Sequence, residues 1–291
     1  MAGGALADRT FAAWGEGLFF WREKKLVFQK PGRFGEGGCL TDLDADGRSD
    51  VVVTEAGAKP ALVWFRGTDG RRELIDSGVV SADVAAATLD GRVGVLVLHK
   101  GGQLRFYYRE NRAWSVRDVY SFYSAVDQGG LLLSDVDGDG RADIICGNYW
   151  VRQPESFELS WRLYAIKLWS DEPEDAMTDF ALAGGRLLAM QRNKSTAVIA
   201  WFDKPQDPKI LWPQRTVNGM AASRPRVAGV SKNRVLISEG GEAGRMLWLH
   251  TDGRYEVAAT GLRIVRSFLL RDDEIYGITA DGVVVIRLER N

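Results

Sequence analysis

The chain has little of what most folds are recognised by. Helical periodicity is nearly absent, and its best stretch, Glu172–Met177, is short and reads as a turn. Only two cysteines occur, Cys39 and Cys146. No disulfide framework is available, so both read as free thiols buried in strands. The two histidines, His99 and His250, fall near strand ends in different parts of the chain, and no G-x-S-x-G stretch is present. A Ser-His-Asp triad and a histidine zinc site are thereby disfavoured. Walker and dinucleotide glycine fingerprints are missing as well. The 38 basic residues are dispersed and balanced by 39 acidic ones, so neither nucleic acid nor an anionic membrane is expected as partner. No apolar run approaches the ~20 residues that span a bilayer, which excludes helical membrane insertion. The start, Met1–Arg9, lacks the basic and apolar regions of a secretory signal. As written the chain is expected in the cytoplasm, or outside the cell if a leader has been removed.

What is present is a pattern of carboxylates, found twice. Asp42-Leu-Asp44-Ala-Asp46-Gly47-Arg48-Ser-Asp50 and Asp135-Val-Asp137-Gly138-Asp139-Gly140-Arg141-Ala-Asp143 both read D-x-D-x-D-G-x-x-D. Each runs into a β-branched segment, Val51–Val53 or Ile144-Ile145. Four acidic side chains in nine residues repel one another and favour solvated chain unless a cation gathers them.

The turn within this pattern recurs about every 45 residues. It appears as Gly47-Arg48, Gly91-Arg92, Gly140-Arg141, Gly185-Arg186 and Asn233-Arg234, with a last copy at Asp273-Glu274. Most copies lie between short apolar runs, the signature of β-hairpins. An aromatic strand follows in each, marked by Trp64-Phe65, Phe106-Tyr107, Trp161, Trp201-Phe202 and Trp248, and then a more polar strand. Four strands per repeat, most apolar at the first ones, describe a propeller blade. The expected fold is therefore all-β, a single β-propeller domain over residues 1–291. Its repeats lie near 36–78, 79–123, 124–171, 172–218, 219–260 and 261–291, the last completed by 10–30. In that arrangement Leu18–Trp21 and Lys25–Phe28 supply late strands of a blade whose early strands come from the C-terminus, closing the ring. One strand is then surplus, because Val283–Ile286 competes with Leu18–Trp21. Six blades are favoured, with seven as the alternative.

Calcium takes six to eight oxygen ligands, which suits oxygens at alternating loop positions plus a backbone carbonyl. In both copies positions one, three, five and nine are aspartate, the seventh residue offers its carbonyl, and Gly47 or Gly140 permits the sharp turn. The loops resemble those of FG-GAP/VCBS repeats, the calcium-binding blades of integrin α-subunit propellers and many bacterial and archaeal proteins. The segments Leu62–Phe65, Gly147–Trp150 with Pro154, and Ala200–Phe202 with Pro205 and Pro208 are similar to the aromatic strand and Pro-containing loop of such repeats. The resemblance implies two structural Ca²⁺ sites. One would be held by Asp42, Asp44, Asp46, the Arg48 carbonyl and Asp50, the other by Asp135, Asp137, Asp139, the Arg141 carbonyl and Asp143. Ala45 departs from the family's glycine. In the other repeats the acids are lost, and those turns read as plain hairpins.

Five tryptophans (Trp21, Trp64, Trp161, Trp201 and Trp248) sit at the repeated aromatic position and read as packing between blades. Trp150 lies apart, in a long connection from Gly147 to Leu159 beside Asn148, Tyr149 and Arg152, which makes these four a candidate ligand-binding cluster. The leading functional reading is a calcium-stabilised, non-catalytic binding or scaffolding module with a protein or carbohydrate partner. The alternative is a carbohydrate-active lyase or hydrolase using carboxylates and arginines at the axial channel mouth, with Glu55, Arg192 and Glu239 as candidates. A third makes the chain a structural part of a larger assembly.

Overall fold

The structure is a computed structural model that describes residues 2–5, 9–122, 129–168, 177–191, 198–217, 225–239, 244–262, 266–271, 274–279 and 282–287. Arg192 and residues 172–176 lie outside these. The described residues form strands and no helix, and the chain divides into two compact units, Met1–Tyr164 and Ala165–Asn291.

The first unit holds four antiparallel four-stranded sheets. They are β1–β4 (Ala2–Ala5, Thr10–Trp14, Leu18–Arg22, Lys25–Lys30), β5–β8 (Phe34–Thr41, Asp50–Glu55, Ala61–Phe65, Arg72–Ser77), β9–β12 (Ser81–Leu89, Arg92–His99, Gln103–Glu110, Ala113–Ser121) and β13–β16 (Leu131–Ser134, Asp143–Cys146, Tyr149–Arg152, Arg162–Ala165). The second unit holds β17–β20 (Met177–Ala183, Arg186–Gln191, Val198–Asp203, Gln214–Thr216), β21–β24 (Arg226–Ser231, Arg234–Ser238, Gly244–His250, Tyr255–Leu262) and a three-stranded sheet, β25–β27 (Arg266–Arg271, Glu274–Thr279, Gly282–Arg287). Each sheet is a meander whose strands pair in chain order, and its first strand lies beside the first strand of the next sheet within the unit.

Seven sheets replace the six that the sequence favours. Leu18–Trp21 and Lys25–Phe28 are third and fourth strands, as expected, but they pair with β1 and β2 rather than completing the last repeat. The place for which they competed is filled by β27, which pairs with β26. The missing early strands were hidden by their composition. β1 is Ala-Gly-Gly-Ala, with no β-branched or aromatic side chain to mark it.

Burial follows position in the meander. Second strands and most third strands are largely buried, as in β6 and β7, whereas β27 is only half-buried and the fourth strands β4, β8 and β20 are largely exposed. The period of two divides the apolar side chains between neighbouring cores. Val51 and Val53 join Trp14, Phe20 and Val63, while Val52 joins Trp64, Val95 and Tyr107 on the other face. In the second unit Leu188 and Trp201 pack with Val235 and Leu247, and Leu236 and Trp248 pack with Ile275. Cys146 is buried and Cys39 half-buried, both as free thiols that burial pushes up in pKa.

First strands are tied together by carboxylates. Asp83 in β9 accepts the N–H of Leu131 in β13 at 2.9 Å, and Asp179 in β17 accepts that of Val227 in β21 at 2.9 Å. The second oxygen of each accepts the N–H of the following residue. Replacing Asp83 or Asp179 by alanine strands two N–H groups between sheets. Each substitution is expected to lower stability by about 1–3 kcal/mol in urea unfolding, whereas Asp118→Ala on the exposed face of β12 should change it by less than about 0.5 kcal/mol.

Candidate metal centre

Both acidic stretches connect a first strand to a second, and both fold the same way. The first aspartate caps the turn from inside. Asp42 accepts the N–H groups of Asp46 (3.1 Å) and Gly47 (2.8 Å), and Asp135 those of Gly138 (2.8 Å), Asp139 (3.0 Å) and Gly140 (2.9 Å). Gly47 and Gly140 take left-handed φ values of 81° and 84°, which a side chain would oppose. Ala45 takes φ 57°, where its counterpart Gly138 has 81°.

The ninth aspartate carries the heaviest load. Asp50 and Asp143 are 1% and 0% exposed. Asp50 accepts the N–H of Leu43 within the loop (3.1 Å) and of Gly67 just beyond β7 (2.8 Å). Asp143 repeats this with Val136 (2.9 Å) and Gln153 (2.8 Å). Each carboxylate therefore ties its loop to the exit of the third strand. Burial pushes both carboxyls up to about 6, against the pull of these N–H donors.

Positions one, three and nine converge. One oxygen from each of Asp42, Asp44 and Asp50 lies within 4.8 Å of the others, and Asp135, Asp137 and Asp143 form the same triad. Position five turns elsewhere, since Asp46 and Asp139 accept the N–H of Arg48 and Arg141 at 2.8 and 3.0 Å. The position-three residues leave an oxygen unanswered: Oδ1 of Asp44 and Oδ1 of Asp137 are buried and lack a hydrogen-bond partner. Orphaned anionic oxygens at equivalent points of two triads fit a hard divalent cation.

At the exit of the third strand, sequence reasoning missed Arg66 and placed Arg152 in the ligand cluster rather than beside the acidic loop. Register aligns Arg66 with Arg152, since Val51 pairs with Phe65 and Ile144 with Val151. Arg152 is ion-paired to Asp137 and, at 3.0 Å, to Asp139, while Arg66 stays 3.9 Å from Asp44. Burial works against it, but the Arg141 N–H and the charges of Arg141 and Arg152 hold the Asp139 carboxyl below its ordinary range. Spacing along the chain hides the equivalence, since Arg66 follows Asp50 by 16 residues and Arg152 follows Asp143 by 9.

The four residues of the proposed ligand cluster do not share one face. Tyr149–Arg152 is the third strand itself, reached by a tight turn at Gly147-Asn148. Trp150, opposite Ile145, occupies the aromatic position that Trp64 holds opposite Val52, so the repeated tryptophan is Trp150 and not Trp161. It is fully buried and stacks on Tyr164 at 4.8 Å. Asn148 is buried, Tyr149 packs against Phe122, and Arg152 is engaged by the acidic loop. His99 is also accounted for: it meets the Tyr107 hydroxyl at 3.1 Å, which donates to Asp76 at 2.9 Å.

Two measurements follow. Ala45→Gly relieves a left-handed alanine and is expected to stabilise the protein by about 1 kcal/mol, with Gly138→Ala costing a similar amount. A carboxyl whose folded pKa is raised to about 6 adds stability that is complete below about pH 4 and is lost as pH rises through 6. In EGTA, the stability of the wild type relative to the Asp50→Asn/Asp143→Asn double variant should therefore fall between pH 4.5 and 7.5. A flat difference would contradict the burial argument.

Comparison with known proteins gives a fold and no family. No protein-family model matches the chain, and no curated protein matches it in sequence. Solved structures do match over nearly the whole length. BamB from Moraxella catarrhalis is 11% identical with a TM-score of 0.58, covering 99% of this chain and 96% of its own. Saccharomyces cerevisiae Sqt1 is 12% identical at TM-score 0.60, covering 98% and 82%. BBS1N, solved in complex with ARL6DN, is 9% identical at TM-score 0.60, covering 98% and 88%. At such identities the likeness speaks to architecture alone, and together with the seven meander sheets it makes the chain a β-propeller.

Proposed function

We propose that this chain is a calcium-stabilised β-propeller of FG-GAP/VCBS type that serves as a non-catalytic binding or scaffolding module. The observation that carries the reading is the pair of orphaned oxygens, Asp44 Oδ1 and Asp137 Oδ1, each buried inside a three-carboxylate cluster. Asp42, Asp44 and Asp50 would hold one ion and Asp135, Asp137 and Asp143 the other, and the ion would supply charge neutralisation rather than an activated water. The arrangement suits a structural role, because the ninth carboxylate already links loop to strand and a bound cation would make its ionised form favourable.

The binding role draws on two further points. One neighbour in fold was solved in complex with a partner protein. The carboxylates that an enzymatic reading would use are consumed within their own sheets. Arg72 grips Glu55 with two bonds of 2.8 Å, and Arg245 grips Glu239, at 2.9 Å from one nitrogen. A putative 6-phosphogluconolactonase from Bacteroides fragilis shares the fold at 10% identity and TM-score 0.57, but fold alone does not transfer chemistry.

Calcium at a hundred times its dissociation constant adds about 2.7 kcal/mol per site, so melting in millimolar Ca²⁺ should exceed melting in EGTA by roughly 5 °C or more. The gain should grow from pH 5 to pH 7 as the buried carboxyls ionise, and Asp44→Asn with Asp137→Asn should abolish it. Equal melting temperatures with and without calcium would end this reading. Arg152 acts as a resident cation in the second loop, so Arg152→Gln should lower the melting temperature in EGTA yet widen the calcium-dependent gap.

A further inference from the structure

Beside the first acidic loop lies a cleft of about 490 Å³ lined by Leu43, Asp44, Arg66, Arg109 and Arg112. Its walls come from three places in the first unit: the loop between β5 and β6, the exit of β7, and the hairpin joining β11 to β12. Trp64 is its platform. The guanidinium carbons of Arg66 and Arg109 lie 5.0 and 5.1 Å from that ring, and Arg109 also reaches Trp114 at 5.8 Å. Stacking holds both planar forks in place and leaves their edges to receive acceptors.

Those edges are poorly supplied from within. Nε of Arg66 and Nε of Arg109 are buried with no acceptor. The nearest carboxylates stand off, with Arg66 at 3.9 Å from both Asp44 and Glu73 and Arg109 at 3.7 Å from Glu73. Glu73 instead accepts the indole N–H of Trp114 at 3.1 Å. Arg112 makes no ion pair among the described residues, yet it is held at φ 69° in a turn where Asn or Gly is the ordinary choice. Its carbonyl accepts from Arg109 at 3.3 Å, which fixes the third arginine against the second. The lining itself sets three guanidiniums against the single carboxylate of Asp44; Glu73 stands beside it, and Asp42 and Asp50 converge on Asp44, so what the cleft offers a ligand is unfilled donors rather than a net positive charge.

We infer that this cleft binds a phosphate group, with Arg66, Arg109 and Arg112 as its donors. A phosphate dianion has oxygens enough for several forks at once. A carboxylate ligand would add only a third copy of a group that Asp44 and Glu73 already offer without closing on the arginines. The inference stands apart from the calcium reading, because its test is run in EGTA.

Inorganic phosphate is titrated at constant ionic strength, with tryptophan fluorescence and calorimetry as readouts. Saturable binding is expected that matched chloride and acetate do not reproduce. Arg66→Gln and Arg112→Gln should each weaken it roughly tenfold, the loss of one charge-assisted contact. Arg254→Gln, an exposed residue of the second unit, should leave it unchanged. Arg112 is exposed on a turn, so its variant should keep the wild-type circular dichroism. O-phosphoserine and glycerol 3-phosphate then separate a protein-borne from a small-molecule source, and tighter binding of either supports the site. A phosphate response equal to that of acetate or chloride, or one retained in the Arg66→Gln/Arg112→Gln double variant, overturns it.

Discussion

One buried carboxylate, used twice, organises the first unit of this molecule. Asp50 and Asp143 sit at the start of second strands with essentially no exposure, yet each reaches both its own loop and the backbone beyond the third strand. Without that acceptor, two N–H groups per sheet would be left unanswered where water does not reach. The cost of this solution is a group whose charged form is disfavoured by burial. Everything around the loop bears on that cost: the short hydrogen bonds, the neighbouring aspartates that worsen it, and the cations that relieve it.

Three of the other turns meet the same position with opposite charge. Where β6 begins with Asp50 and the chain leaves β7 at Arg66, β18 begins with Arg186 and β19 ends at Asp203, and these two pair at 2.7 Å. In the next sheet Arg234 stands at that place and pairs with Glu256 at 3.2 Å. Three of the sheets without acidic loops thus begin their second strand with a guanidinium, at Arg92, Arg186 and Arg234, whereas β2 begins with Thr10 and β26 with Glu274. Those with acidic loops place an arginine after the third strand and draw it in to different degrees.

This explains which parts of the molecule could be read from sequence. The hairpins, the aromatic strand and the nine-residue loops announce themselves through apolar runs, turn residues and repeated carboxylates, and they lead to the all-β propeller. Blade number was harder. The strand Ala2–Ala5 has only small side chains, and Thr10–Trp14 is preceded by Asp8-Arg9 without the glycine of the Gly-Arg turns. Trp150 was misplaced because its sheet shortens the second hairpin to a tight turn, so the spacing rule pointed to Trp161 instead. Arg66 and Arg152 carry no motif of their own. Their partnership with the loops depends on register across two strands, which spacing along the chain does not reveal.

Trp64 shows why structural and binding roles need not be separated in such a sheet. Its ring is fully buried, packs edge-on to Trp114 at 6.1 Å, and fills the core between two sheets. The same ring carries Arg66 and Arg109, and Arg66 faces the acidic loop. A core residue that must be large and aromatic for packing thus fixes the arginines at no further entropic cost. At the equivalent place in the fourth sheet, Trp150 stacks on Tyr164 and Arg152 swings onto the aspartates. The difference between an open arginine cleft and a closed ion pair then follows from what lies beside the tryptophan, not from the loop sequence, which is nearly the same in both.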